Sequence, residues 1–402
     1  MSEILETPFG TRDFLPKEAA AKRLIETRLA KLFESYGYEE VVTPAMEFLE
    51  TLTIEGGRTV EQDLFKMFDQ NNRTLALHHE MTTPIARLAV SRLKNSTLPL
   101  KLSYNTNVFR FRRNQPGRQC EFYQAGVELL GASNAAADAE IIALAVESLK
   151  SAGLKEFKIC LGQVEFANGL MEQNNLSPDE QKKIKIAIER HDIVELEKIT
   201  NVDALKKLPK LQGGKEILDE AKNFAQSQKS LNALKNLAEI YRLLEIYGAA
   251  DKITFDLGII RDFEYYTGMV FEAYAPNVGY SLAGGGRYDH MLKDFGMACP
   301  ATGFALGIER ILLARERQGI FEDFRKKNIY IGYADGFIDA AIKTAAKLRA
   351  AGKVAEISLT AQSKEDAEKF QNAKGYDNLI YVDMDYKESQ AIFSGVGGKS
   401  DG

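Results

Sequence analysis

The chain has 402 residues, of which 45% are hydrophobic and 27% are charged. This length and composition predict a soluble globular protein of two or three domains. The formal net charge of −5 provides no general field for binding polyanions, so the composition does not support a nucleic-acid-binding function.

Neither a secretion signal nor a membrane anchor is expected. The start of the chain has no basic segment followed by an apolar core, and no uncharged apolar run is long enough to span a bilayer. Cys120, Cys160 and Cys299 are widely spaced, which favours reduced thiols over a disulfide framework. His78 and His79 are adjacent and cannot share one face of a helix or strand. We therefore expect a cytoplasmic protein without a metal site.

The first predicted elements are a helix and a sheet. Residues 17–36 repeat apolar positions at three and four, as an amphipathic helix does, and Gly37 ends that helix. A short β-rich run at residues 38–42 stops at Pro44, which cannot donate to a strand ladder. From residue 74 to residue 161 strands and helices alternate, which predicts a mixed, largely antiparallel sheet with flanking helices.

The rest of the chain predicts an insertion and a second domain. Residues 164–250 are rich in Lys, Glu and Leu, and Ser177, Pro178 and Glu180 form a capping-box pattern, so this stretch is predicted to be helical. The sheet pattern resumes at residue 253 and ends in a helix at 307–317. Residues 329–383 follow a βαβαβ pattern. We predict a main domain at residues 1–322, with a helical insertion at about 164–250, and a small α/β domain at residues 323–402.

Two polar clusters could bind a ligand. Glu80, Thr82 and Thr83 stand at a strand-to-helix junction, where Glu80 could hold an ammonium group. The alternative is plain helix capping by Thr82 or Thr83, with a carboxylate that interacts with the helix dipole. A second cluster flanks the turn at residues 114–117, and its arginines could clamp a carboxylate or a phosphate or could form a solvated surface. This cluster contains Arg110, Arg112, Arg113 and Arg118.

A third cluster spans residues 256–310. Residues 281–289 are interpreted as a glycine-rich turn in which three successive glycines let the backbone approach a ligand closely. Arg310 stands in the first turn of the helix predicted at 307–317, against the local helix dipole. A bound anion would account for an arginine in that place.

In this order the segments resemble class II aminoacyl-tRNA synthetases, and specifically the histidyl-tRNA synthetase family. Residues 37–44, 108–131 and 303–310 look like motifs 1, 2 and 3, and residues 261–268 and 281–289 are similar to the two histidine-specific motifs. The resemblance covers roughly residues 5–320. It implies an α+β fold, an antiparallel six- or seven-stranded sheet with helices, that dimerises through the motif 1 region.

The resemblance also implies a histidine pocket. Carboxylates suit the ammonium group, polar and aromatic groups suit the imidazole, and arginine suits the carboxylate. Carried over position by position, the pocket residues are Glu80, Thr82, Gln124, Glu128, Tyr266 and Tyr288, with Arg110 at the carboxylate and Arg261 at the reaction centre. Arg310 matches the arginine at the nucleotide.

The nucleotide half departs from the family pattern. Arg112 stands where a glutamate near the adenine is expected, and Cys120 stands where an arginine on the terminal phosphate is expected. Losing one phosphate clamp removes a charge-assisted contact of about 1.5–3 kcal/mol, and catalysis suffers more than binding. We therefore interpret Arg112, Arg113, Cys120 and Arg310 as a vestigial nucleotide site and expect no catalytic residue, although Arg261 is retained.

The small domain carries mixed charge, which argues against specific tRNA binding. A histidine pocket without adenylation resembles the family of ATP phosphoribosyltransferase regulatory subunits, and residues 80–87 look more like that family than like the synthetases. The resemblance implies a chain without a cofactor that binds L-histidine, activates a short catalytic subunit and mediates feedback inhibition in the first step of histidine biosynthesis, within a hetero-octamer. The alternatives are a divergent histidyl-tRNA synthetase and a histidine-independent RNA-binding or scaffold paralogue.

Overall fold

The computed structural model of the chain describes residues 5–54, 60–111, 119–190, 192–259, 266–322 and 328–386. The chain divides into two units, Met1–Glu322 and Asp323–Gly402. The strands of the first unit are β1 (Glu39–Glu40), β2 (Met46–Phe48), β3 (Lys66–Phe68), β4 (Thr74–Leu77), β5 (Leu100–Phe109), β6 (Glu121–Leu130), β7 (Lys158–Gln163), β8 (Gln212–Gly213), β9 (Ile253–Asp256), β10 (Met269–Tyr274), β11 (Ala283–Arg287) and β12 (Ala301–Gly307).

The helices of the first unit are α1 (Pro16–Ser35), α2 (Leu49–Leu52), α3 (Thr82–Arg92), α4 (Ala135–Ser151), α5 (Val164–Gln173), α6 (Pro178–Glu189), α7 (Ile193–Ile199), α8 (Asp203–Lys207), α9 (Glu216–Lys222), α10 (Gln228–Ile246), α11 (Met291–Asp294) and α12 (Ile308–Arg317). None of the helices in the described ranges is both long enough and apolar enough to cross a membrane.

The centre of the first unit is a nine-stranded sheet with the order β1-β5-β6-β12-β11-β10-β7-β9-β8. The six strands from β5 to β7 are antiparallel to their neighbours. At the edges β1 joins β5 and β9 joins β7 in parallel, and β8 pairs with β9. The predicted largely antiparallel sheet is confirmed. The implied number of six or seven strands is too low because short edge strands extend the sheet on both sides.

Helices α1 and α4 pack their apolar side chains against one face of this sheet. Ile25, Leu29 and Phe33 of α1 are buried in the same core as the apolar side chains of α4. The ring of Phe33 meets the ring of Phe304 in β12 edge-on, with 6.1 Å between the centroids. Asn134 begins α4 by accepting a hydrogen bond from the Ala137 N–H at 3.0 Å. Because the helices bury this face of the sheet, a ligand site has to lie elsewhere on the sheet.

The stretch from Val164 to Ile246 folds into helices α5 to α10, with β8 between α8 and α9. Ser177 and Glu180 form the predicted capping box at the start of α6, and the Ser177 N–H donates to Glu180 Oε2 at 2.8 Å. The buried side chains of Leu234, Leu237 and Ile240 in α10 continue the main core of the first unit. The insertion therefore packs on the same core as the sheet.

A three-stranded antiparallel sheet with the order β2-β4-β3 stands beside α3. Arg87 of α3 donates from Nε and Nη2 to Glu47 Oε1 of β2, at 2.9 and 2.6 Å. Glu47 is buried, so this charge-assisted pair ties the small sheet to the helix whose first turn carries Thr82.

In the second unit the element order is the predicted βαβαβ. The strands β13 (Ile329–Tyr333), β14 (Ala355–Ile357) and β15 (Asn378–Val382) alternate with α13 (Ile338–Ala350) and α14 (Lys364–Lys374). The sheet is parallel, with β13 in the centre. Ile329, Ile331 and Val382 of the strands and Ala341 and Ala345 of α13 form its apolar core.

Candidate functional site

A cavity of about 100 Å³ lies on the central sheet of the first unit. Small residues of β11 and β12 form part of its lining, among them Gly284, Gly285 and Gly303. The first turn of α3, strands β5 and β6 and the segments flanking β11 supply the larger side chains.

The cavity brings together every predicted histidine-site residue that the structure describes. These residues are Glu80, Thr82, Arg110, Gln124, Glu128, Tyr266 and Tyr288. Arg310 of the predicted vestigial nucleotide set also lines the cavity. Arg261, Arg112 and Arg113 lie outside the described residues. Cys120 is described and is not one of the residues that line the cavity.

The interpretation of residues 281–289 as a glycine-rich turn is wrong, because Ala283–Arg287 forms β11 in the interior of the sheet. The glycines are needed for close packing instead of for a turn. A β-carbon on Gly286 would lie 2.6 Å from the ring of Tyr266, and one on Gly303 would overlap Glu128 Oε2. Because Gly286 of β11 and Gly303 of β12 have no side chain, the side chains of Tyr266 and Glu128 can occupy that space.

Glu128 is the most enclosed carboxyl group of the cavity, at 2% exposure. Thr82 Oγ1 donates to its Oε1 at 2.9 Å, and the hydroxyl of Tyr288 donates to its Oε2. Burial raises the pKa of Glu128 to about 8; the two hydroxyl donors act in the opposite direction, and the nearby Glu80 adds to the rise. A cation placed in the cavity would favour the ionised form of Glu128.

Glu80 stabilises the start of α3 and also lines the cavity. Its Oε2 accepts a hydrogen bond from the Thr82 N–H at 2.5 Å, and its Oε1 accepts one from the Thr83 N–H at 3.0 Å. The carboxylate of Glu80, and not a threonine hydroxyl, thus caps the start of α3. The expected capping by a hydroxyl of Thr82 or Thr83 is wrong, because both residues lie inside α3 and the Thr82 hydroxyl is bonded to Glu128. The carboxylate that the same alternative expected at the start of the helix is confirmed in Glu80.

Gln124 and two arginines add polar groups of defined direction. The Oε1 atom of Gln124 is buried and has no hydrogen-bond partner among the described residues. Arg110 donates from Nε to the His79 carbonyl at 3.0 Å, and its guanidinium lies 5.2 Å from the centroid of the Phe122 ring. Arg310 donates from Nη1 to the Ser281 carbonyl at 2.6 Å. These contacts hold both guanidinium groups at the cavity.

Sequence reasoning missed Tyr104, Phe122 and Ser281, which also line the cavity. Tyr104 is buried, and desolvation together with the charges of Glu128 and Glu80 raises its pKa well above the ordinary value. The absence of a side chain on Gly126 leaves room for the Tyr104 hydroxyl. The pairing of an aromatic residue with a glycine across β5 and β6 was the available signal, but it needs the register of the strands to be visible.

Cys120 is packed against the N-terminal segment. Its N–H donates to the Gly10 carbonyl at 2.7 Å, and a β-carbon on Gly10 would lie 2.5 Å from Cys120 Sγ. Gly10 has a φ of 75°, a conformation that favours glycine. The thiol of Cys120 is therefore buried and packed against the backbone of Gly10.

Comparisons with known proteins match the chain to a family model and to named relatives. The histidyl-tRNA synthetase model matches residues 10–311. The ATP phosphoribosyltransferase regulatory subunit of Moorella thermoacetica is 44% identical over 392 residues, which cover 94% of this chain and 98% of that protein.

Solved structures share the fold. A structure from Bacillus halodurans, described as an ATP phosphoribosyltransferase regulatory subunit/histidyl-tRNA synthetase, has a TM-score of 0.85 and 33% identity, and the match covers 95% of this chain and 99% of that one. Histidyl-tRNA synthetase from Nostoc sp. PCC 7120 has a TM-score of 0.80 at 23% identity, covering 92% of this chain and 90% of that one. The chain therefore belongs to the family of ATP phosphoribosyltransferase regulatory subunits, which has the fold of histidyl-tRNA synthetase.

Proposed function

We propose that this chain senses L-histidine for an ATP phosphoribosyltransferase. It binds histidine in the cavity on the central sheet, activates a short catalytic subunit and transmits feedback inhibition in the first step of histidine biosynthesis. One observation carries the proposal: two carboxyl groups, an amide oxygen without a partner among the described residues, two arginines and three tyrosines converge on a single cavity.

The groups of the cavity match the groups of free histidine. Glu80, Glu128 and the Oε1 atom of Gln124 can accept hydrogen bonds from the ligand ammonium group. Arg110 supplies a planar donor for the ligand carboxylate. Tyr266 and Tyr288 offer aromatic surface and hydroxyl groups to the imidazole.

The nucleotide half supports a chain that does not adenylate histidine. Adenylation depends on positioned positive charge at the triphosphate. Cys120 supplies no such charge, and its side chain is buried against Gly10. The proposed chain therefore needs no cofactor, and histidine acts on it as an effector instead of a substrate.

Regulation follows from linkage between two sites. If histidine binds one state of the regulatory chain more tightly, the bound catalytic chains shift toward the activity of that state. We propose a homodimer formed through residues 37–44, in a hetero-octamer of four regulatory and four short catalytic chains. As part of the same proposal we place the protein in the cytoplasm, because its relatives are named as subunits of a phosphoribosyltransferase.

Two measurements on the purified chain test the proposal. Isothermal titration calorimetry should detect histidine binding that Gln124→Ala weakens, because the variant removes an acceptor for the ligand ammonium. Histidine-dependent ATP–pyrophosphate exchange should be absent beside an authentic histidyl-tRNA synthetase as the control. Robust exchange would make the chain a divergent histidyl-tRNA synthetase, and the absence of histidine binding by folded protein would overturn the sensor function.

A further inference from the structure

One buried guanidinium joins several segments around the cavity. Arg287, the last residue of β11, is 6% exposed. Its Nε and Nη2 donate to Asp138 Oδ1 of α4 at 3.0 and 2.7 Å. Its Nη1 donates to the Ala132 carbonyl and to Asp289 Oδ1, both at 3.0 Å. The arginine thereby bonds to the turn after β6, to the first helical turn of α4 and to the segment after β11.

Thr267 ties a further segment to the same arginine. The Thr267 N–H donates to the Arg287 carbonyl at 2.8 Å. Its Oγ1 accepts a hydrogen bond from the Asp289 N–H at 2.9 Å. Tyr266 directly precedes Thr267, and Tyr288 lies between Arg287 and Asp289. These two hydrogen bonds therefore fix the backbone directly after Tyr266 and on both sides of Tyr288.

The hydrogen bonds of Arg287 and Thr267 lie outside the cavity, whereas Tyr266 and Tyr288 line it. Tyr266 and Tyr288 line the cavity, whereas Arg287, Asp289 and Thr267 are not among its lining residues. The Tyr288 N–H donates to the Ala301 carbonyl at 2.8 Å, and Asp289 Oδ1 accepts a hydrogen bond from the Ala301 N–H at 3.1 Å. The start of β12 therefore also holds residues 288 and 289 in place. The Tyr288 hydroxyl then reaches Glu128.

We propose that Arg287 and Thr267 are positioning residues of the histidine site. Through Asp138 and Asp289 they set where the side chains of Tyr266 and Tyr288 stand relative to Glu128, and so determine the affinity for the ligand imidazole. This inference rests on the proposed histidine-binding function. In this proposal Arg287 does not contact the ligand. Its removal would leave the buried charge of Asp138 unpaired, which endangers folding, so Thr267 is the sharper probe.

The test compares three threonine variants by calorimetric titration with L-histidine and by thermal unfolding. Thr267→Val removes the hydroxyl that accepts the Asp289 N–H, and Thr267→Ser restores it. Thr200→Val is the matched control, because Thr200 Oγ1 also accepts a backbone N–H, from Val202, in the helical insertion. The loss of one hydrogen bond predicts histidine binding about three- to tenfold weaker in Thr267→Val. Thr267→Ser and Thr200→Val should keep wild-type affinity.

A spectroscopic readout separates positioning from stability. The chain has 16 tyrosines and no tryptophan, so its near-ultraviolet difference spectrum reports tyrosine environments. Histidine should perturb this spectrum less in folded Thr267→Val than in Thr267→Ser. If Thr267→Val does not fold, Thr267→Ala removes the same hydroxyl with less bulk and replaces it in the comparison.

The outcomes are distinguishable. Wild-type affinity and an unchanged difference spectrum in the folded hydroxyl-deficient variant would overturn the positioning role while the histidine site stands. A wild-type chain that binds no histidine would overturn the proposed function and this inference together.

Discussion

The carboxyl group of Glu128 lies between the hydroxyl donors of Thr82 and Tyr288, and its burial raises its pKa to about 8. In the ligand-free protein this carboxyl group therefore carries its proton through most of the neutral range. A ligand ammonium group favours the carboxylate and lowers that pKa, so histidine binding below about pH 8 must release a proton. Proton release makes the affinity depend on pH with a definite sign.

We expect the histidine association constant to rise about fivefold from about pH 7 to about pH 8, and to level off above, as Glu128 becomes ionised before binding. Calorimetric titrations in buffers of different ionisation enthalpy measure both the constant and the released proton. Glu128→Gln, whose side chain does not titrate, should bind more weakly and lose this rise, which separates it from titration of the ligand itself. A wild-type affinity that falls or stays constant over this range would contradict the role of Glu128.

The enclosure of Cys120 by Gly10 makes a second prediction at the residue scale. Cys120→Arg restores the charge expected of a synthetase and places a long side chain at a buried position that packs against Gly10. We expect it to lower the free energy of unfolding by about 1–3 kcal/mol through overpacking. It should create no ATP–pyrophosphate exchange. Cys120→Ala, which removes only the sulfur, is the matched control. An arginine variant as stable as that control would contradict the overpacking, and one that is active in exchange would show that the position can still act on the nucleotide.

At the scale of single elements, Glu80 caps the start of α3 and also lines the cavity, so we predict that it acts in both stability and ligand binding. Glu80→Gln keeps an oxygen that can accept the Thr82 and Thr83 N–H groups but removes the charge. Glu80→Ala removes both, and should lose about 1 kcal/mol more stability than Glu80→Gln because the cap is missing. Both variants should bind histidine about tenfold or more weakly, since a charge-assisted bond is lost.

Urea unfolding and calorimetry on the two Glu80 variants measure stability and affinity separately. If Glu80→Gln binds histidine as tightly as the wild type, Glu80 is a capping residue alone and leaves the set of ligand groups.

The close packing of β12 against β6 makes Gly303 another sensitive position. A β-carbon there would overlap Glu128 Oε2, so Gly303→Ala must displace the Glu128 carboxyl group. We expect a loss of about 1–3 kcal/mol in stability from overpacking and strongly weakened histidine binding. Gly279→Ala is the matched control, because no atom lies within 4 Å of an added β-carbon at Gly279. Thermal unfolding and histidine titration of both variants decide the matter; wild-type affinity in folded Gly303→Ala would mean that Glu128 does not touch the ligand.

The sequence predicted the long elements well and the packed glycines poorly. Strand Glu121–Leu130 has the predicted bounds, and the helix Ile308–Arg317 begins one residue later than predicted. Strand Ala283–Arg287 was interpreted as a turn because glycine disfavours strands in isolation, whereas here Tyr266 and Phe304 occupy the space that side chains would fill. The two-residue edge strands carry no periodicity that a sequence pattern can detect.

The candidate site shows the same division. The resemblance to family motifs predicted seven residues that line the cavity, charged and uncharged alike. Tyr104 did not stand out, since an aromatic residue within a strand looks the same whether it faces a core or a cavity. The capping role of Glu80 was also hidden, because it depends on the path of the backbone between β4 and α3.

At the scale of the whole molecule, the first unit combines the nine-stranded sheet with a cavity that is lined by seven of the predicted histidine-site residues. The pair of Arg87 and Glu47 connects the first turn of α3, where the ligand would bind, to the small sheet β2-β4-β3. A displacement of α3 on histidine binding would therefore move this sheet with it. The name regulatory subunit, which the relatives carry, implies a catalytic partner.

The most direct measurement is ATP phosphoribosyltransferase activity of a short catalytic subunit, assayed with and without this chain over a titration with L-histidine. We expect activity to rise severalfold when the chain is added and to fall again as histidine is added. Gln124→Ala should shift the inhibition to higher histidine concentrations. Catalytic activity that does not respond to the chain, or inhibition that Glu80→Ala and Gln124→Ala both leave unchanged, would contradict a histidine sensor at this site.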